Sequence, residues 1–498
     1  TYRNSPRKSP FLRVENFGRS EGGRALPMMV LSDRAISTPE EARALGRPIV
    51  FVMANIHAGE VEGKEASLII ARRLLFGDLK PLLSKITVLI APIYNADGNE
   101  KISTDNRWNQ NGPIGGVGVR ENNQRLDLNR DYMKLESSEA QSLIGVFNRW
   151  DPQLTVDLHT TNGSYHGYHL TYSQPLNPNT DQAILDYQRN MMMPSIAASL
   201  LRKFKFRSYY YGNFTGFSNT PKEGQKTTWE AFTHQPRIGQ NYGGIRNRFT
   251  ILSEAYSYLS FKRRIEATER FVEEILRFCV LNAASIKSIP KAADARTIAG
   301  FSGKGFEFGV EFKMIPLPKP VEILVGEVEK IKNPRSGKEM TAMIEDKYKP
   351  LRMEDFGMFE AVRKVAAPKA YLIIADKSVR EKLLQHGIIV EELSADLETN
   401  VDGFKVESFE KAKRPFQGHN EMKIKGAYST STQKFPTGTL LVRTAQPLGR
   451  LVFYLLEPTS DDGLVAWNFF DSVIGVGKPL PIFKLMRDEK LPSRIVDR

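Results

Sequence analysis

Ile49-Val50-Phe51-Val52-Met53-Ala54-Asn55-Ile56-His57-Ala58-Gly59-Glu60 joins an unbroken apolar run to a polar turn. An apolar run of this length without alternation reads as a buried strand, the kind that sits inside an α/β sheet. A neutral imidazole and a carboxylate three positions apart, on the turn that leaves such a strand, can both reach one divalent metal. The same His-x-x-Glu spacing also arises by chance, as a cap on the helix that follows. The remainder of the chain has to decide between the two.

Around this stretch, residues 48 to 280 alternate strand-like runs with helix-period segments, the signature of an α/β domain. Strands are expected at Ile49 to Met53, Ile86 to Ile90, Leu154 to Leu158 and Phe249 to Leu252. Helices are expected at Glu62 to Phe76, Ser137 to Trp150, Asp181 to Phe204 and Lys262 to about Ile286. Gly77 and Asp151-Pro152 supply stop signals for the first two. The expected fold class is α/β, a mixed doubly wound sheet with helices on both faces and function at the strand ends.

From Ser288 the texture changes to short alternating runs among Pro290, Pro316, Pro318 and Pro320. A boundary is expected near residues 287 to 300, dividing a catalytic domain (1–287) from a β-rich accessory region (288–498). That region should hold a small α/β insert, with a strand at Tyr371 to Ile374, a helix around Ser378 to Gln385 and a strand at Ile388 to Val390. Late strands are expected at Thr439 to Arg443 and Leu451 to Leu456. Asp461-Asp462-Gly463 reads as a turn and Trp467-Asn468-Phe469-Phe470 as a core strand.

Composition bounds the function classes. The 498 residues carry a net charge of +13, 41% hydrophobic and 26% charged residues, the profile of an ordinary globular protein with two or three packed domains. No run approaches the roughly 20 apolar residues that a membrane span needs. The basic residues are spread along the chain without a one-sided stripe, so a solvated surface is favoured over a nucleic-acid partner. The single Cys279 lies in an amphipathic helical pattern and reads as a buried structural thiol. The chain starts at Thr1 rather than Met with a polar, basic opening to Lys8, so a removed signal segment or a trimmed chain is expected, and a periplasmic or extracellular location fits.

A catalytic zinc site needs a third protein ligand and an open position. His159, at the end of Leu154-Thr155-Val156-Asp157-Leu158-His159, is the best candidate, with Asp157 on the same strand face to orient its ring. His166 and His169 follow closely, as spare ligands or as parts of a folded rim. Asn129-Arg130 offers amide donors and a guanidinium fork that suit a carboxylate. Glu254 ends the apolar run Phe249 to Leu252, where burial can lift a carboxyl toward neutrality and suit it to general-base work.

In this order, His57-x-x-Glu60, Asn129-Arg130, His159 and Glu254 resemble the zinc metallocarboxypeptidases, the carboxypeptidase A-like family. The resemblance spans about residues 48 to 256. It implies one Zn²⁺ held by His57, Glu60 and His159, a substrate carboxylate held by Asn129 and Arg130, and Glu254 as general base and later acid. It further implies that Asp127 accepts a hydrogen bond from the first zinc-binding His. An Arg that polarises the scissile carbonyl is implied too, with Arg107 and Arg120 both eligible and Arg120 preferred for its glycine-rich approach. The covering Tyr has no clear match among Tyr209, Tyr210, Tyr211 and Tyr242. Residues 236–248, with Arg237, Arg246 and Arg248, are expected to line the specificity pocket, where the arginines would favour acidic substrates or pair with structural carboxylates. The expected activity is release of a C-terminal amino acid from a peptide, of cell-wall or dietary origin. Deacylation of an N-acyl amino acid is the rival enzyme activity, and a non-catalytic binding module on a decayed site is the rival from another class.

Overall fold

The computed structural model describes residues 9–221, 224, 226–303, 305–374 and 377–496, so the basic opening Thr1 to Lys8 lies outside the described residues. Its central sheet has eight strands: β1 (Leu12–Arg19), β2 (Ala25–Leu31), β3 (Ile49–Ala54), β4 (Thr87–Ala91), β5 (Leu154–Thr161), β6 (Leu170–Ser173), β7 (Ser208–Tyr210) and β8 (Phe249–Tyr256). They lie side by side in the order β1-β2-β4-β3-β5-β8-β6-β7. Strands β4, β3, β5 and β8 run parallel, while the β1–β2 hairpin and β6 join antiparallel. This is the expected mixed α/β architecture.

The opening run explains itself in β3, whose six residues are all buried. Ile49, Phe51 and Met53 enter the apolar cluster on one face, and Val50, Val52 and Ala54 the cluster on the other. Each large side chain so buried is stabilised by roughly 1.5–3 kcal/mol. Helices Glu62–Phe76 and Phe261–Leu281 pack together over one face. Helix Ser138–Trp150 covers the other, capped by the Ser137 hydroxyl and ended by a left-handed Asp151. The segment expected as one helix from Asp181 to Phe204 is capped by Asp181 and widens at Gln188–Met192 before closing again as Met193–Phe204. The helix expected from Lys262 to about Ile286 instead breaks at Asn282, and a second helix, Ala283–Ser302, runs through residues 287 to 300 with Pro290 inside it.

Beyond it lie long hairpins and a seven-stranded sheet. Ala370–Ile373 and helix Lys377–Gln385 form the expected insert. Three expectations fail here. Leu451 to Leu456 belongs to a helix, Gly449–Leu456, buried on every side, and an all-apolar helix cannot be told from a buried strand by its run of residues. Ile388 to Val390 is coil, with Ile388 and Val390 buried and Ile389 exposed, and the strand starts at Glu391. Trp467 to Phe470 forms turns whose Trp467 is buried in the shared core. That core is continuous: Phe51 and Trp150 of the sheet domain share a cluster with Tyr371, Leu451 and Trp467, and strand Glu339–Phe356 pairs in parallel with Thr228–Glu230. No described helix is long and apolar enough to cross a membrane.

Candidate metal and catalytic site

The site is built where β3, β5 and β8 end. Asn55, the residue after β3, takes a left-handed conformation (φ 64°), which Asn tolerates better than most residues. Its amide donates to the carbonyls of Ala58 and Glu60 at 3.3 Å each, curling the turn. A Cβ at Gly59 would stand 2.6 Å from Arg107 Nε and 3.0 Å from the Gly118 carbonyl, so only glycine lets the neighbouring loop close over the turn. Asn95 ties that loop down, donating to the carbonyls of Ile56 (3.2 Å) and Arg120 (3.0 Å).

His57, Glu60 and His159 are all buried, and one ligand atom from each lies within 4.8 Å of the others. His57 Nε2 faces Asp127 Oδ1 at 3.0 Å, and His159 Nε2 faces Asp157 Oδ2 at 2.9 Å. With the ring N–H groups assigned to those carboxylates, both Nδ1 lone pairs turn inward. The two Nδ1 atoms are 3.2 Å apart, and each lies 3.0 Å from an oxygen of Glu60. Acceptors converging on one point in this way suit a cation between them, and two imidazoles with one carboxylate form a donor set that suits zinc. Burial alone would raise the Glu60 carboxyl, but His57, Arg107 and His159 outweigh it and hold it well below the usual carboxylate range. The Thr160 N–H steadies the second Glu60 oxygen at 3.0 Å, and the Thr160 hydroxyl is in turn bonded to Glu62.

Asp127 links the triad to the cationic side of the cleft. Its Oδ2 accepts from Arg120 Nε (3.0 Å) and Nη2 (2.8 Å), while its Oδ1 receives the Asn129 N–H at 2.9 Å. Although burial opposes it, His57, Arg120 and Arg130 keep this carboxyl ionised. Asn129 Oδ1 accepts from the Gly239 N–H at 3.0 Å, which turns the donor end of the amide the other way. Arg130 is mostly buried, and burial, helped by Arg120 and Arg237, outweighs the pull of Asp127 and lowers its pKa. Of the two eligible arginines, Arg107 donates to Glu60 Oε1 at 2.8 Å. Arg120 lines the cleft.

Glu254 stands on β8 directly beside His159 on β5. Burial pushes its carboxyl up to about 8, against the pull of His159 and Arg120; a dication at the triad would favour the ionised form. A cavity of about 170 Å³ connects these groups, lined by the triad, Arg120, Asn129, Arg130, Glu254, Tyr211, Phe232 and Leu252. Tyr211 is thus the one tyrosine of the four candidates that lines this cleft. Tyr209 is bonded to Asp355, Tyr210 to the Arg189 carbonyl and Tyr242 to His386.

His166 and His169 stand apart from the triad: His166 stacks on Tyr256, and His169 meets Glu345 at 3.2 Å. Both belong to the folded rim. Of the two roles expected for Arg237, Arg246 and Arg248 the structural one holds, each being spent on a structural partner, and the expected pocket lining is corrected. Arg237 pairs with Asp462 and Glu421, Arg246 donates to the His386 carbonyl, and Arg248 pairs with Asp151 and Asp294. Residues 236–248 contribute no side chain to the cleft lining. Thr160, Glu62 and Phe232 escaped the sequence analysis because nothing local marks them.

The sequence profile of the zinc carboxypeptidase family matches residues 4–237, a span that includes His57, Glu60, Asn129, Arg130 and His159 and ends before Glu254. The chain is 22% identical to carboxypeptidase 2 of Trichophyton rubrum over 508 residues, 94% of this chain and 81% of that protein. It is 33% identical to carboxypeptidase Z of Homo sapiens over 141 residues, 27% of this chain and 20% of that protein. Among solved structures, it aligns with a metallo-carboxypeptidase from Burkholderia cenocepacia at 15% identity and TM-score 0.39, over 54% of this chain and 65% of that one.

Proposed function

The chain belongs to the zinc carboxypeptidase family, and on that premise we propose that its cleft hydrolyses the last peptide bond of a substrate bearing a free C-terminal carboxylate. The observation that carries the proposal is the inward convergence of His57 Nδ1, Glu60 and His159 Nδ1, with Glu254 on the adjoining strand and a cationic wall opposite. His57, Glu60 and His159 would hold one zinc ion. When bound, zinc supplies Lewis acidity and lowers the pKa of a coordinated water toward roughly 7.

The protein's own groups do the rest. Asn129 and Arg130 hold the terminal carboxylate, fixing which bond faces Glu254. The Glu254 carboxylate takes a proton from the attacking water. Arg120 donates to the carbonyl oxygen as it gains charge, and Glu254 then passes its proton to the leaving amine. Asp127 and Asp157 hold the two imidazoles with their Nδ1 lone pairs inward. Tyr211 and Phe232 narrow the entrance.

A panel of peptides with free and amidated C-termini, cell-wall-type and dietary sequences included, tests this function. Free peptides should lose one residue at a time and amidated ones should be inert. Turnover of N-acyl amino acids alone would support the rival deacylase. That residues 1–287 carry the chemistry while 288–498 brace it within one shared core belongs to this proposal, as does export to the periplasm or medium, which fractionation of producing cells would read.

A further inference from the structure

Asp127 stands behind the site on two sides, toward His57 and toward Arg120. Its own backbone N–H is satisfied from an unexpected place, donating at 2.8 Å to the side-chain Oε1 of Gln417, 290 residues later in the chain. Gln417 sits at the tip of a two-residue hairpin. Phe416 N–H donates to the His419 carbonyl (2.7 Å) and His419 N–H to that of Phe416 (3.0 Å). Gln417 and Gly418 both have positive φ, 51° and 83°, the combination of a type I′ turn.

At the first position of that turn Asn is the favoured residue, because its short side chain tolerates the left-handed region; Gln is not. A residue kept against local preference points to a tertiary role. The turn is also braced. The Phe416 ring stacks against Trp467 with centroids 6.4 Å apart and the planes 27° from parallel, and His419 Nε2 meets Glu136 Oε1 at 2.7 Å. On the same side the Arg237 guanidinium lies 4.4 Å from the Trp467 ring, paired with Asp462. From this fixed base the Gln417 side chain reaches the segment that carries Asp127, Asn129 and Arg130.

We propose that Gln417 is a positioning residue of the active site, by which the C-terminal region sets residues 127–130. The Gln417 oxygen anchors the Asp127 amide. That anchor registers the Asp127 carboxylate against His57 and the donors of Asn129 and Arg130 against the substrate carboxylate. The catalytic consequence rests on the carboxypeptidase function proposed above; the structural one does not.

Two variants test it. Gln417→Asn suits the turn better but is one methylene too short to reach, whereas Gln417→Glu keeps both reach and acceptor. Gln417→Asn should keep its fold, with Tm within about 4 °C of the parent. Its KM for a free-carboxylate peptide should rise, with kcat/KM falling roughly tenfold to a hundredfold. Amide hydrogen exchange in residues 127–130 should accelerate in the same variant, and Gln417→Glu should stay close to the parent in both measurements. Unchanged exchange and KM in Gln417→Asn would overturn the proposal, as would equal impairment in Gln417→Glu. Should the parent protein cleave no peptide at all, the carboxypeptidase function fails while the exchange comparison still decides the role of Gln417.

Discussion

His57 and His159 differ from ordinary buried histidines in what stands behind them. Each has a carboxylate at its Nε2, Asp127 or Asp157, so each presents a lone pair forward. Replacing Asp127 by Ala should therefore lower zinc affinity and kcat/KM by roughly 10–100-fold, read by zinc transfer to a chelator and by peptide turnover. Glu254→Gln should cut kcat by about 10²–10⁴-fold while metal analysis still finds one zinc per chain; an active Gln variant would remove Glu254 from the base role. At this scale the sequence was legible wherever chemistry came as a local pattern, as in His57-x-x-Glu60 or Asn129-Arg130. It was silent on Tyr211 as against Tyr209 and Tyr210, because three consecutive tyrosines look alike until the backbone turns them to different partners. Gln417 was illegible for the same reason: no local signal marks a side chain whose partner lies 290 residues away.

Among the elements, strands with both faces covered were easy to place. β3 carries an unbroken apolar run, whereas β5 alternates apolar residues with Thr155, Asp157 and His159 yet is buried throughout, and the C-terminal ends of both lead into the proposed metal site. The same logic misled at Leu451 to Leu456, where a helix buried all round shows no polar face to betray its period. The β1–β2 hairpin went unread because Leu12–Arg19 mixes charged and apolar residues without strict alternation. The turn after β3 offers an element-scale test. Gly59→Ala would force its methyl against Arg107 and the Gly118 carbonyl, and strain of that kind costs about 1–3 kcal/mol. A urea midpoint lowered accordingly, together with weaker zinc retention, is the expected result. An unchanged midpoint would mean that the loop carrying Arg107 and Arg120 yields freely.

The molecule as a whole is more integrated than its change of texture near residue 288 suggests. Trp467 and Tyr371 share a core with Phe51 and Trp150, and Asp462 pairs with Arg237 near Arg130. A fragment ending at residue 287 should accordingly fail to give a soluble, zinc-retaining domain; a folded, active fragment would refute that integration. Whole-molecule stability should also fall in acid. Burial pushes His166 and His386 down to about 3, so between that value and the unfolded value near 6.5 the unfolded chain binds more protons than the folded one. The contribution of these two groups is complete above about pH 6.5 and is lost as the pH drops toward 3, by about 1.4 kcal/mol per unit for each group. Glu254, raised to about 8, works in the opposite sense over the same range, so the histidine contribution is read by comparison: urea midpoints at pH 7.5, 6 and 5 should decline less steeply in His386→Gln than in the parent, and equal slopes would contradict the buried neutral histidine. All scales meet at the proposed zinc site, and diffraction from zinc-loaded crystals across the zinc absorption edge tests it most directly. One anomalous peak about 2.0–2.2 Å from His57 Nδ1, His159 Nδ1 and a Glu60 oxygen is the predicted result; a peak elsewhere, or none, would contradict the account.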